Sequence, residues 1–516
     1  MAEERSREAT PLDLEAIRNF TGQYPRQLWA LFFTEMWERF CFYGMRGMLT
    51  VFMVTQLGLT DKAANLQYGA IQAFVYAFTF IGGLFADKVL GFRRSLYWGA
   101  LLMMAGGYTV AFAPQELFYV GTCFSIIGTG FFKPNISTMV GQLYHPDDPR
   151  REAGFGLFYA GINLGALLGG ILMVYVGKYH SWSLAFALVG VVMTISLINF
   201  HLTRRGLGPI GQSPLPAVWS ERRKRLMEYA VYVGSLLSLP VILRMVTHTY
   251  YTDLFMYIIG PLTLLYLGWE MRRFSRSENL KLAAALVFIF FSVLFWAFFE
   301  QSGGSLSLFA LNNLRHSFLG IPMDPNVVNN SSNSLFVILL SAPFGLMWVW
   351  LSRRGIEPNA VVKFGLGFLL LGAGFLTFYS TLFFADEDGI TSLELFTLAY
   401  FIVTLGELCL SPIGLSLMTR LSPQPIQGLM MGMWFLASAY GQYVAGLLGA
   451  GMSTADETAS NLEKLQSYTL GYQQLGLYAL IAGVVLILIS PVVKRWMQGG
   501  RAMGEIAKNP HEEAAN

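Results

Sequence analysis

Four charged residues, Glu35, Glu38, Arg39 and Arg46, stand inside the run 27–57, which is otherwise apolar and long enough to cross a bilayer. Even low estimates put one such charge at the centre of a spanning helix at about 2.5 to 3.5 kcal/mol, so this segment must supply partners or face a polar interior. Counted from Glu35, the residues Glu38, Arg39, Phe42 and Arg46 fall at offsets of three, four, seven and eleven, a single stripe of a 3.6-residue helix. One face of the first helix is therefore polar, and the rest meets lipid or protein.

The whole chain fits that reading. Of 516 residues 54% are hydrophobic and only 13% charged, against about 25% in soluble proteins. A net charge of +3, with no basic stripe interleaved with aromatics, excludes nucleic acid as a partner. Cys41, Cys123 and Cys409 all lie in apolar stretches, which argues against a disulfide framework or a metal site. The polar start, residues 1–26, is not a cleavable signal, so the first span directs insertion.

Stretches long enough to span fall near 27–57, 66–86, 95–113, 116–143, 152–177 and 182–202, then 227–243 and 253–270, then 282–312, 330–352, 362–384, 393–420, 426–450 and 468–493. The expectation is an all-α polytopic membrane protein with twelve core helices in two six-helix halves and an inserted two-helix hairpin, fourteen spans in total. Its parts are an N-terminal tail (1–26), a first bundle (27–202), a basic linker (203–226), the hairpin with its following linker (227–281), a second bundle (282–494) and a C-terminal tail (495–516). Arg150, Arg151, the 204–225 segment, Arg272, Arg273, Arg353, Arg354 and Arg420 fall on one side of this topology, and Asp386, Glu387, Asp388, Asp456 and Glu457 on the other. The basic side is the cytoplasmic one, which places both termini inside.

The loop after the second span, Gly82-Gly83-Leu-Phe-Ala-Asp87-Lys-Val-Leu-Gly91-Phe-Arg93-Arg94, resembles the cytoplasmic signature of the major facilitator superfamily. Asp87, Gly91, Arg93 and Arg94 are its matching positions, with one residue more than usual between Asp87 and Gly91. Two six-helix halves suggest a substrate site between them near the midplane. Beyond the first stripe, three ionisable residues read as deep in spans: Lys133, Glu300 and Glu407. Arg46 and Glu300 occupy equivalent helices of the two halves, as do Lys133 and Glu407. One half thus offers cations and the other anions, which suits a zwitterion held by its carboxylate on Arg46 and Lys133 and its ammonium on Glu407. Structural ion pairing is the alternative use of such charges. All six histidines fall in loops, tails or helix ends, so any proton coupling rests on carboxylates.

The residues are specific enough to name a family. Glu35-x-x-Glu38-Arg39-Phe40-x-Phe42-Tyr43-Gly44 resembles the E-x-x-E-R-F-x-Y-Y-G signature of the proton-dependent oligopeptide transporters. Agreement extends to Gly128-Thr-Gly-Phe-Phe-Lys133-Pro134-Asn135, to Phe158-Tyr159-Ala-Gly-Ile-Asn163-Leu-Gly165-Ala, and to Gly406-Glu407-Leu-Cys-Leu-Ser411-Pro412-Ile-Gly414. The resemblance implies symport of di- and tripeptides with protons across a bacterial plasma membrane, with protons as coupling ion, no cofactor, and a functional monomer in the lipid bilayer. It implies that Arg46 and Lys133 face the peptide carboxylate, and that Glu407, Asn163 and Asn333 face its amino terminus. Tyr43, Tyr76, Trp296, Trp434 and Ser438 would line the pocket, while Glu35, Glu38, Arg39 and Glu300 would carry proton coupling. A hinge at Pro412 is a further expectation.

One position departs from the family. The first tyrosine of Y-Y-G is Phe42, so one hydroxyl is missing from the polar stripe, and an altered side-chain preference follows as the expectation. Rival readings on the same scaffold are carriage of nitrate or another small anion, against which Glu407 argues, and multidrug antiport. An enzyme reading rests on His248-Thr-Tyr-Tyr-Thr-Asp253, the H-x-x-x-x-D spacing of acyltransferases, without an accompanying nucleophile or metal set.

Overall fold

The computed structural model describes residues 14–145, 147–410, 414–454 and 458–499. Ser411 and Pro412 of the expected hinge, the acidic Asp456 and Glu457, and the ends of both tails lie outside the described residues. After a short α1 (Leu14–Arg18) come α2 (Arg26–Thr55), α3 (Asp61–Phe85), α4 (Phe92–Phe112), α5 (Pro114–Gln142), α6 (Arg150–Tyr179) and α7 (Trp182–Thr203). The inserted segment forms α8 (Glu221–Leu237), α9 (Leu239–Thr247) and α10 (Thr249–Glu270). Then follow α11 (Arg276–Phe299), α12 (Ser305–Asn313), α13 (Pro325–Arg353), α14 (Ala360–Ser380), α15 (Leu393–Leu410), α16 (Gly414–Leu421), α17 (Gln427–Met452) and α18 (Asn461–Met497). The described strands, β1 (Ser317–Phe318) and β2 (Ile321–Pro322), make a two-stranded antiparallel ribbon.

Local chemistry sets the helix starts. Ser275 with Glu278, and Ser460 with Glu463, form reciprocal capping boxes at α11 and α18. Asp324 caps α13 just ahead of Pro325, where a missing N–H costs nothing. Ten spans among the described residues are long and apolar enough to cross a membrane. The helices α2, α4, α5 and α17 have the length but not the apolarity, which for α2 follows from its charged stripe. This is a multi-pass membrane protein.

The chain divides into two compact units. Unit 1 holds Met1–Leu49 and Phe74–Thr247, and unit 2 holds Thr50–Ala73 and His248–Asn516. The last turns of α2 and the first half of α3 thus group with the C-terminal helices rather than with the rest of 27–202. Specific bonds account for it: Thr50 donates to Gly303 O (2.8 Å), Tyr468 to Asp61 (3.0 Å), and Asn65 to Ser453 Oγ (3.2 Å). The division also splits the inserted hairpin at its turn, with α8 and α9 in unit 1 and α10 in unit 2.

Within unit 1, close packing of α6 fixes α2. A Cβ at Gly165 or Gly169 would run into the carbonyls of Met36 and Phe40, so glycine lets the two backbones touch beside the charged stripe. Gly91, at φ +75° and with Gln212 O where a Cβ would stand, closes the signature loop against the linker.

One boundary differs from expectation. The apolar run 282–312 is not one helix: α11 stops at Phe299 and α12 begins at Ser305, with Glu300 capping the break rather than sitting mid-helix. Gln301-Ser-Gly303-Gly304 supplies the interruption, since paired glycines cost a helix about 2 kcal/mol relative to alanine. Within 393–420 the described residues form α15 and α16, on either side of 411–413.

Candidate substrate and coupling sites

In unit 1 the stripe on α2 forms a sealed ionic triad. Arg39 Nε lies 3.2 Å from Glu35 Oε1, and the guanidinium also pairs with Glu38; all three side chains are at most 3% exposed. Glu35 Oε2 and Glu38 Oε1 have no hydrogen-bond partner among the described residues. Two carboxylates against one guanidinium leave a formal surplus of one negative charge in a buried place, and one proton would balance it.

Phe42, the position that departs from the family pattern, sits beside this triad and is 4% exposed. Its ring centroid is 4.8 Å from Arg39 Cζ and 5.9 Å from Lys133 Nζ, and Lys133 Nζ lies 4.4 Å from the Tyr76 ring. The chain lacks the tyrosine hydroxyl here but keeps an aromatic ring within cation–π reach of the buried Arg39 and the half-buried Lys133, a contact worth about 2 kcal/mol when desolvated. Sequence reasoning missed this use of Phe42, although its place on the stripe beside Arg39 was visible. Arg46 lies 5.7 Å from the Tyr43 ring. Asn163 is buried in α6 of unit 1 and donates to Tyr159 O (3.0 Å).

Unit 2 brings together two of the expected amino-terminus residues. Asn333 Nδ2 on α13 donates to Glu407 Oε2 on α15 at 2.7 Å and to Thr404 Oγ1 at 3.2 Å. Trp296 stands edge-on to Phe295 and Phe299, with Gly441 of α17 against its Cβ; a Cβ at Gly441 would lie 2.7 Å away. One turn earlier on α17, Ser438 donates to Trp434 O (3.3 Å). Glu300 is 4% exposed at its helix break.

Burial sorts these residues. Arg46, Lys133, Tyr43, Tyr76, Trp296, Asn333, Glu407, Trp434 and Ser438 are half-buried, whereas Glu35, Glu38, Arg39 and Glu300 are closed off. The first set keeps partial solvent exposure and the second keeps almost none.

The protein-family model described as "POT family" matches residues 93–467. The chain belongs to the POT family. It is 32% identical to "Peptide transporter YePEPT" of Yersinia enterocolitica, over 93% of this chain and 96% of that one. It is 30% identical to "Dipeptide and tripeptide permease B" of another Yersinia enterocolitica strain, over 94% and 98%. A crystal structure of a mutant peptide transporter POT in complex with alafosfalin matches with TM-score 0.82 at 32% identity, covering 94% of this chain and 99% of that one.

As a POT family member the chain uses its signature loop in a specific way. Arg93 N donates to Gly211 O (2.9 Å) and its guanidinium to Gly208 O (2.5 Å), while Ser213 donates to Val89 O (2.6 Å). Arg94 pairs with Glu228 of α8. The two arginines hold the linker and the hairpin, and Asp87 is exposed in the one-turn π-helix Ala86–Leu90.

Asp253, at the edge of the hairpin's outside turn by hydropathy, falls near the start of α10. It sits on the second turn of α10 and accepts a hydrogen bond from Tyr443 of α17 (2.6 Å). This gives the acidic member of His248-x-x-x-x-Asp253 a structural partner on another helix. His248→Ala is expected to leave uptake of dialanine within about twofold of wild type, as measured with labelled peptide in proteoliposomes. Phe42→Leu keeps apolar bulk but removes the ring between Arg39 and Lys133. Uptake is expected to fall about tenfold, as losing one buried cation–π contact implies, whereas Phe42→Tyr should keep transport and shift the dipeptide preference.

Proposed function

We propose that this chain imports di- and tripeptides with protons, by alternating access between its two six-helix halves. The observation that carries the reading is the split in burial: half-buried cations, Arg46 and Lys133, and a half-buried anion, Glu407 with Asn333, stand apart from the sealed Glu35, Glu38, Arg39 and Glu300. Peptides carry an ammonium and a carboxylate, and only the exposed set can meet them. Arg46 and Lys133 take the carboxylate, Glu407 and Asn333 take the ammonium, and Tyr43, Tyr76, Trp296, Trp434 and Ser438 line the side-chain space. Asn163 completes the ammonium set.

The buried set carries the proton. The triad of Glu35, Glu38 and Arg39 is one proton short of neutrality, and Lys133, which shares the Phe42 ring with Arg39, links peptide occupancy to that balance. Glu300 exchanges between a proton and Arg46 as the halves move. The signature loop of Asp87, Gly91, Arg93 and Arg94 ties the linker on the cytoplasmic side. The protein works as a single chain in the inner membrane with both termini inside, and needs no cofactor besides protons. A small-anion carrier would have no use for the Asn333–Glu407 pair.

Glu300→Gln tests this. Counterflow of labelled dialanine in proteoliposomes should persist, while uphill uptake driven by an inward proton gradient is lost; uphill uptake at the wild-type level would remove Glu300 from the coupling path.

A further inference from the structure

Two sets of hydrogen bonds in unit 2, joined covalently through Tyr400, run from the helix break at Glu300 to Glu407 through residues that no part of the peptide pocket needs. Asn329 Nδ2 on α13 donates to Ser302 O, in the break, at 2.8 Å. Tyr400 on α15 donates its hydroxyl to Asn329 Oδ1 at 2.6 Å. One turn on, Thr404 donates to Tyr400 O at 2.7 Å and accepts from Asn333 Nδ2 at 3.2 Å. Asn333 completes the path on Glu407 Oε2 at 2.7 Å. Asn329 and Asn333 are four residues apart on α13, and Tyr400, Thr404 and Glu407 are spaced by four and three on α15, so each helix presents one stripe to the other.

The intermediate members are fully interior: Asn329 is 1%, Tyr400 3% and Thr404 0% exposed. The Tyr400 ring is packed edge-on against Phe378 and Phe396, at 5.5 and 5.3 Å between centroids, so its hydroxyl has little freedom. Polar groups in such a place are retained only when satisfied, and losing one partner leaves the other with its full desolvation cost. The path is unsuited to moving protons, because it passes through amide nitrogens and main-chain carbonyls. What it can transmit is position.

We propose that Asn329, Tyr400 and Thr404 are positioning residues that fix the Glu300 helix break relative to Glu407, so that peptide-amine occupancy and the state of Glu300 report to each other. The proposal rests on the peptide-symport reading above. It assigns these residues to coupling and not to binding, since none of them is exposed to a ligand. A shift of the Glu300–Gly304 turn pulls on Asn329, and through Tyr400 and Thr404 it re-aims Asn333, which orients the Glu407 carboxylate.

The test uses Tyr400→Phe, which removes one hydroxyl, and Thr404→Val, which is isosteric, with Thr404→Ser as the conservative control. Each is reconstituted in proteoliposomes beside wild type. Dialanine counterflow should keep its KM within about twofold, while accumulation driven by the proton gradient falls about tenfold, as one buried hydrogen bond implies. Thr404→Ser should behave as wild type, and the double variant Tyr400→Phe/Thr404→Val should be no worse than either single one, because both break one path. Accumulation at the wild-type level in both single variants would overturn the proposal. So would equal loss of exchange and accumulation, the mark of a merely structural role. Wild-type protein that exchanges no dialanine would instead sink the transport reading, and the inference with it.

Discussion

Arg39→Met should cost more than any other single substitution in the first helix. The methionine fills much of the space but takes from Glu35 and Glu38 the guanidinium that pairs with both, each carboxylate being at most 3% exposed. Breaking a buried ion pair from one side is expected to cost about 3 to 5 kcal/mol, a large part of a typical domain's stability. The measurement is the yield of monodisperse protein in mild detergent and its apparent melting temperature, both of which should drop sharply. Glu38→Gln keeps an oxygen for Arg39 and removes one carboxylate, so it should fold and yet fail to couple. A folded, stable Arg39→Met protein would mean that the two carboxylates are already neutral in the resting state and that the guanidinium is dispensable for structure.

The second large effect concerns binding. Glu407 is half-buried and oriented by Asn333 at 2.7 Å, and its charge is the proposed partner of the peptide ammonium. Glu407→Gln keeps the size and the hydrogen bond to Asn333 but withdraws the charge that an ammonium requires. The KM for dialanine is expected to rise about 10- to 100-fold, corresponding to loss of a charge-assisted hydrogen bond of about 1.5 to 3 kcal/mol. N-acetyl-dialanine, which lacks the ammonium, should compete poorly against wild type, and the substitution should cost it far less. If acetylated and free dipeptides lose affinity equally in the variant, Glu407 acts on the shape of the site and not on the amine.

Much of this was legible in the residues. The stripe of Glu35, Glu38, Arg39 and Arg46 followed from helical period alone, because charge in an apolar run stands out whatever surrounds it. Hydropathy placed the spans for the same reason, and ten of the fourteen expected runs hold helices long and apolar enough to cross a membrane among the described residues. What escaped depended on contacts between distant segments. Phe42 reads as a lost hydroxyl in one dimension and as a ring beside Arg39 and Lys133 in three. Asp253 reads as a turn residue until Tyr443, far along the chain, is found donating to it. The grouping of Thr50–Ala73 with the C-terminal helices has no local signal, since it rests on Gly303, Ser453 and Tyr468. The break at Glu300 was different: Gly303-Gly304 announced it, but the apolar residues on both sides masked it within one hydropathy window.

The charge-carrying set and the pocket-facing set also come from different kinds of information. Burial separates Glu35, Glu38, Arg39 and Glu300 from Arg46, Lys133 and Glu407, although all seven look alike as charges within spans. On the proposed reading, that separation divides the work, one group holding a proton out of reach of solvent and the other meeting a zwitterion.

Uptake of labelled dialanine into proteoliposomes, with and without an inward proton gradient and with excess nitrate as competitor, tests the central claim most directly. The account predicts accumulation above the external concentration only when the gradient is present, with no competition from nitrate. Accumulation that ignores the gradient, or uptake that nitrate suppresses, would contradict it.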